Sequence, residues 1–167
     1  MPMVLRGDAL HQIARGRVKT LFDRTLADEL TARTSLLRTN PPALWGKMTA
    51  AQAAAHCADA LEVASGDRNP PRMFIGRVIG WIITPMAIGD DKPMKRNAPT
   101  TPDMVIRDQR DVHQECARLC AQIQRFVSAG PTGCTRHPHP FFGTLTPQQW
   151  ANLQYKHVDH HLRQFGA

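Results

Sequence analysis

The chain has 167 residues, 42% of them hydrophobic, a length that suits one compact domain rather than two. Its 21 Lys and Arg outnumber its 14 Asp and Glu, for a formal charge of +7, but they form no run of like charge, and only 6% of residues are aromatic. A nucleic-acid surface calls for a dense basic stripe with aromatics for stacking, so that class is set aside in favour of a basic solvated surface.

Residue usage leans on Ala, Leu, Arg and Thr, which favours helices over sheet. The first helix is predicted from Asp23 to Arg38, with Leu26, Leu30 and Leu37 at helical spacing and "TNPP" from Thr39 as its stop. Residues 1–22 precede it and are read as an N-terminal extension to a domain spanning 23–167. The second helix follows Thr49, which with Gln52 three residues on makes a capping box, and the alanine-rich "AAQAAAHCADALEVAS" carries it to Gly66. Asp67 to Thr100 is a long irregular excursion with a short helix expected within Phe74 to Ile83.

A third long helix is predicted from Thr101 as cap and Pro102 at the first helical position, with Val105, Val112, Cys116, Leu119, Ile123 and Phe126 on its apolar side, ending near Gly130. After "GPTGCTRHPHPFFG", Thr146, Pro147 and Gln149 repeat the cap, proline and capping-box pattern and start a last helix that runs to Phe165. The expected architecture is all-α: a four-helix bundle with a long irregular excursion between the second and third helices.

Cys57, Cys116, Cys120 and Cys134 lack CxxC spacing, and a chain of this length needs no disulfide framework, so a reduced cytoplasmic protein is expected. The N-terminus has no signal-peptide pattern. The apolar stretch "MFIGRVIGWIITPMAIG" from Met73 is interrupted by Arg77, Pro85 and glycines, and it falls short of the roughly 20 apolar residues that a bilayer requires. It reads as a buried or interface segment, which implies no membrane partner and allows a homodimer through Phe74 to Ile88.

Three of the eight histidines fall in "YKHVDHHLRQFG", Tyr155 to Gly166. With Trp150 as zero on a helical wheel, His157 falls at about 340° and His161 at about 20°, in the middle of the face carrying Leu153 and Phe165. His160 falls at about 280°, at the edge, and Lys156, Asp159 and Arg163 between about 180° and 240°, facing water. Two imidazoles in the centre of an apolar face carry a desolvation penalty unless they are hydrogen-bonded or metal-bound, and one turn is a spacing that lets both reach one ion. The second helix offers a third ring, His56, flanked by Ala53, Ala60 and Val63. His56, His157 and His161 are either an open metal triad, with His160 and Asp59 as outer partners, or core histidines bonded to Gln52, Gln154 or Gln164. No carboxylate or serine stands out as an obligatory base, although Asp59 and Asp159 are candidates. His137, His139, Phe141 and Phe142 either line the mouth of the site or plug the bundle end.

"MTAAQAAAHCADAL", "KPMKRNAPT" and "HPFFGTLTPQQWANLQYKHVDHHLRQFG" together resemble the DinB-like superfamily of bacterial four-helix-bundle metalloenzymes. Within it the chain is most similar to a bacterial domain-of-unknown-function family, number 1569, from about Asp23 to Gly166. The superfamily takes one histidine from its second helix and two from an H-x3-H on its last, with a glutamine three residues further on. The resemblance therefore implies His56, His157 and His161 as metal ligands and Gln164 beside them. It implies a divalent ion, zinc or nickel first, with iron, cobalt or manganese as further options. It also implies a transferase or related enzyme that uses a low-molecular-weight thiol as its small-molecule partner. The competing expectation is a non-enzymatic metal-binding or stress-associated bundle.

Overall fold

The computed structural model describes residues 18–98 and 100–167, so most of the expected N-terminal extension lies outside the described residues. Five α-helices and three short 3-10 turns follow one another, with no strand among the described residues. Helix α1 spans Arg24–Thr34 and begins on Asp23, whose carboxylate accepts the Thr25 and Leu26 amides at 2.9 and 3.4 Å. A 3-10 turn, Ser35–Thr39, extends it to Asn40, which turns left-handed at φ 51° just before the two prolines.

Helix α2, Ala50–Ser65, has the expected capping box: the Gln52 amide donates to the Thr49 hydroxyl at 3.2 Å, and the Thr49 amide to the Gln52 side chain at 3.0 Å. Gly66 closes it at φ +87°. Helix α3 is Phe74–Ile88, helix α4 Val112–Ala129 and helix α5 Pro147–Gln164, the last with its own Thr146–Gln149 capping box.

Two boundaries depart from expectation. The excursion is not irregular throughout, because α3 occupies fifteen of its residues and continues through Pro85. The next helix begins at Val112 rather than Pro102. Asp111 caps it by accepting the Gln114 amide at 2.8 Å, whereas Thr101 makes no capping bond and starts only a 3-10 turn, Pro102–Met104. Val105 is 40% exposed rather than on the apolar stripe.

Helix α2 makes its most extensive contact with α4; α1 touches α4 and α5, and α2 touches α5, so the four enclose one core, while α3 lies outside against α5. Leu30, Leu61, Leu119, Ile123, Phe126, Trp150, Val158 and Leu162 fill that core. Each of the aliphatic side chains stabilises the fold by about 1.5 to 3 kcal/mol through removal from water. The alanines of α2 let neighbouring backbones come close, which places His56 deep inside.

Lys156 and Asp159 do not face water as the wheel suggests. Lys156 donates to the Asp90 carbonyl at 2.9 Å and its carboxylate at 3.1 Å, and Asp159 accepts from Arg33 at 2.7 Å and Arg163 at 2.8 Å. A wheel ranks the sides of α5 alone, but α1 and the segment after α3 cover that side and bring the matching charges. Among the described residues no helix is long and apolar enough to cross a membrane.

Candidate metal centre

Near the middle of α2 and at the C-terminal end of α5, three imidazoles converge. His56 is 3% exposed and His161 9%, while His157 is half-buried, and one ligand atom from each lies within 4.8 Å of the others. Ring centroids are 4.8, 5.0 and 4.9 Å apart, with interplanar angles of 72°, 78° and 85°. The rings thus form a nearly equilateral set, each edge-on to the others.

The tautomers follow from the outer partners. The Nδ1 of His56 lies 2.9 Å from the Met104 carbonyl, which can only accept, so Nδ1 carries the proton and the Nε2 lone pair points at the other rings. The Nδ1 of His161 lies 2.9 Å from Oε1 of Gln164. That amide is held the right way round because its nitrogen donates to the Trp45 carbonyl at 2.7 Å. His161 therefore also presents an Nε2 lone pair. The Nε2 of His157 sits 3.0 Å from that of His56, so these two rings direct their nitrogens at one point.

Protonation is suppressed throughout. Burial, then the field of His56, pushes His161 down to about 3. Burial holds His157 well below the ordinary value, helped by His56 and His161. His56 is lowered mainly by burial, against the raising effects of the Met104 carbonyl and Asp59. All three rings are neutral at pH 7, the form that binds a metal. Three neutral rings, with the outer N–H groups of His56 and His161 satisfied, would suit a divalent borderline ion.

Gly46 makes the Gln164 contact possible. It has φ +79°, and a Cβ there would stand 2.6 Å from the Gln164 amide nitrogen. Beside it, the Trp45 ring lies 5.8 Å from His160, which in turn lies 5.2 Å from His161. The Arg96 guanidinium covers Trp45 at 4.2 Å from the ring centre. His160 is half-buried and lowered chiefly by burial.

The remaining sequence candidates are placed around this set. The Asp59 carboxylate is taken up by Arg118, at 2.5 Å, and by Arg68, and it reaches His56 only through its field. His139 accepts the Phe141 and Phe142 amides at its Nδ1, each at 3.1 Å, and its ring leans on Trp150 at 5.4 Å. Burial, then Arg72, lowers its pKa to about 4, and its field adds to the lowering of His157. Gln52 bonds the Asp108 carbonyl rather than a histidine, and Gln154 has a buried Oε1 with no partner.

A cleft of about 510 Å³ is lined by Asp59, Arg68, Asp108, Arg110, Glu115 and Arg118, and one of about 400 Å³ by Arg72, Trp81, Thr84 and Phe142; neither is lined by a triad histidine. The groups that sequence reasoning missed are the Met104 and Trp45 carbonyls and Gly46. A backbone carbonyl leaves no mark in a sequence, and a glycine directly after Trp45, ahead of a capped helix, was the one readable hint.

A family model described as "Protein of unknown function (DUF1569)" matches residues 19–167. No curated protein and no solved structure matches the chain.

Proposed function

This chain belongs to the DUF1569 family, whose function is unknown, and from that premise we propose a metal-dependent enzyme built on a DinB-like four-helix bundle. In this reading His56, His157 and His161 hold one divalent ion, zinc or nickel first, and a low-molecular-weight thiol is the nucleophilic substrate of a transferase or related reaction. The observation that carries it is the pair of locked tautomers: Met104 and Gln164 turn the Nε2 lone pairs of His56 and His161 toward His157. With those two lone pairs turned inward, the Nε2 of His157 lies 3.0 Å from that of His56, where one tautomer donates a hydrogen bond to His56 and the other presents a third lone pair to an ion. The ring of contacts among α1, α4, α2 and α5 supports the bundle assignment.

A bound divalent ion supplies Lewis acidity, lowering the pKa of a thiol or water that it binds. The chain supplies the rest. Gln164 and Met104 keep His161 and His56 oriented, burial keeps the rings neutral, and Arg96, stacked on Trp45 beside His160, is a cation suited to an anionic thiol. The four cysteines are free, which agrees with a reducing cytoplasm.

The test is cobalt-loaded protein titrated with cysteine or glutathione as probe thiols. A sulfur-to-cobalt charge-transfer band in the near ultraviolet, absent in His161→Ala, is expected. Binding of cobalt with no such band for any thiol, together with no thiol-dependent turnover of an electrophile, would remove the thiol assignment.

The second reading, a non-enzymatic metal-binding bundle, is favoured by one observation: neither cleft described above opens onto the triad. Under that reading the ion binds and no small ligand displaces its water.

A further inference from the structure

Helix α3 is apolar on all sides. Of its fifteen residues only Arg77 is charged, and it has no acid. One side is accounted for: Gly76, Gly80 and Thr84 are buried against the loop before α5, so closely that a Cβ on Gly76 would lie 2.5 Å from the Phe141 carbonyl oxygen. Among the described residues the opposite side is bare. Phe74 is 81% exposed, Ile75 51%, Val78 56%, Trp81 73% and Ile82 51%. A helix without a polar face is ordinarily covered all round.

We propose that this face is covered by α3 of a second copy of the chain, packed antiparallel about a two-fold axis that crosses near Ile79 and Gly80. The spacing argues for a helix as occupant. Phe74, Val78, Trp81 and exposed Pro85 step by four, three and four residues, the seam of knobs-into-holes packing, with Ile75 and Ile82 widening one edge. The amount argues for a dimer: these side chains expose roughly 500 to 600 Å² per copy, most of the about 800 Å² per partner in a standard interface.

Side-chain size argues for the antiparallel sense. Two-fold pairing about that point sets Phe74 against the partner's Pro85 and Trp81 against the partner's Val78, large against small in each pair. A parallel pair would set each aromatic against its own copy and place the two Arg77 side chains side by side, where like charges repel. A bilayer surface is the weaker occupant, because a helix lying in lipid headgroups presents a basic polar face, and the covered face of α3 is glycine, threonine and apolar residues.

The experiment is sedimentation velocity of the untagged full chain at micromolar concentrations. The wild type is expected at twice 18.6 kDa. Val78→Glu and Trp81→Lys are each expected to sediment as monomers, with far-ultraviolet circular dichroism unchanged because both positions face outward. An equimolar mixture of the two variants is expected to regain the dimer, since antiparallel pairing sets Glu against Lys and leaves Val against Trp. Trp81→Ala, a milder change, is expected to weaken association by at least about tenfold. A wild type that stays monomeric at about 100 µM overturns the proposal, as does a monomer that floats with anionic phosphatidylglycerol vesicles. A dimer indifferent to both substitutions overturns the interface, and a mixture that stays monomeric overturns the antiparallel arrangement.

Discussion

The triad and helix α3 break opposite rules. At the first, polar rings sit where a helical core takes leucine; at the second, large apolar side chains sit where a surface takes lysine and glutamate. They differ in how much of the surrounding chain supports them. Two of the triad rings are held from outside, His56 by the distant Met104 carbonyl and His161 by Gln164 three residues on, itself tied to the distant Trp45 carbonyl, so their orientation is fixed before any ligand arrives. The outer face of α3 has no such partner among the described residues. Departures of this kind concentrate where another molecule belongs, and the contrast separates the proposed ion site, already held by its neighbours, from the proposed face for a second copy.

The largest effect is expected from Gln164→Ala. Losing the acceptor that orients His161 should weaken metal binding by about 10- to 100-fold in a competitive chelator titration, and Gln164→Glu, which keeps an acceptor, should retain most of it. Gly46→Ala should reproduce part of the same loss without touching a ligand, because its Cβ displaces the Gln164 amide. If metal affinity is indifferent to both, the triad is no better held than the face of α3.

Acid should destabilise the metal-free protein through the triad. His161 titrates at about 3 when folded, against 6.5 for an unperturbed histidine, so between those values the unfolded chain binds the extra proton. Stability therefore rises with pH across this window and is lost as pH falls below about 6.5, by up to about 1.4 kcal/mol per pH unit for one such group. Thermal melts of wild type and His161→Gln from pH 7 to pH 4 should show a shallower pH dependence for the variant. Equal slopes would mean that His161 is not buried neutral.

Arg118→Met tests the charges behind the site. Arg118 ties α4 to Asp59 and Glu62 of α2, and its removal leaves Asp59, 6% exposed, with only Arg68. A loss of about 1 to 3 kcal/mol in urea unfolding is expected, between the values for surface and buried pairs, with metal affinity little changed. The smallest effect belongs to the opposite side of the comparison. Val78→Glu should alter the stability of the monomer by no more than about 0.5 kcal/mol in the same assay, since nothing among the described residues covers it.

Both capped helix starts, at Thr49 and Thr146, were legible because a capping box is a local code whose partners lie three residues apart. The inward direction of His157 and His161 was legible for a similar reason, since helical periodicity needs only α5 itself. What the sequence hid was non-local. Thr101 and Asp111 compete as caps, and Asp111 is the one that makes a capping bond, while the skipped stretch carries the Met104 carbonyl to His56. Lys156 and Asp159 are buried by segments far along the chain, and α3 extends past Pro85 because an apolar run tells a short helix poorly from a long one.

The central claim is that three imidazoles bind one ion, and X-ray absorption at the zinc edge of untagged, zinc-loaded protein tests it most directly. Three imidazole nitrogens at about 2.0 to 2.1 Å with one further oxygen scatterer from water are expected, falling to two imidazoles in each of His56→Ala, His157→Ala and His161→Ala or to no bound metal at all. Sulfur scatterers from the cysteines, or a wild type that stays empty when zinc is offered at neutral pH, would contradict it.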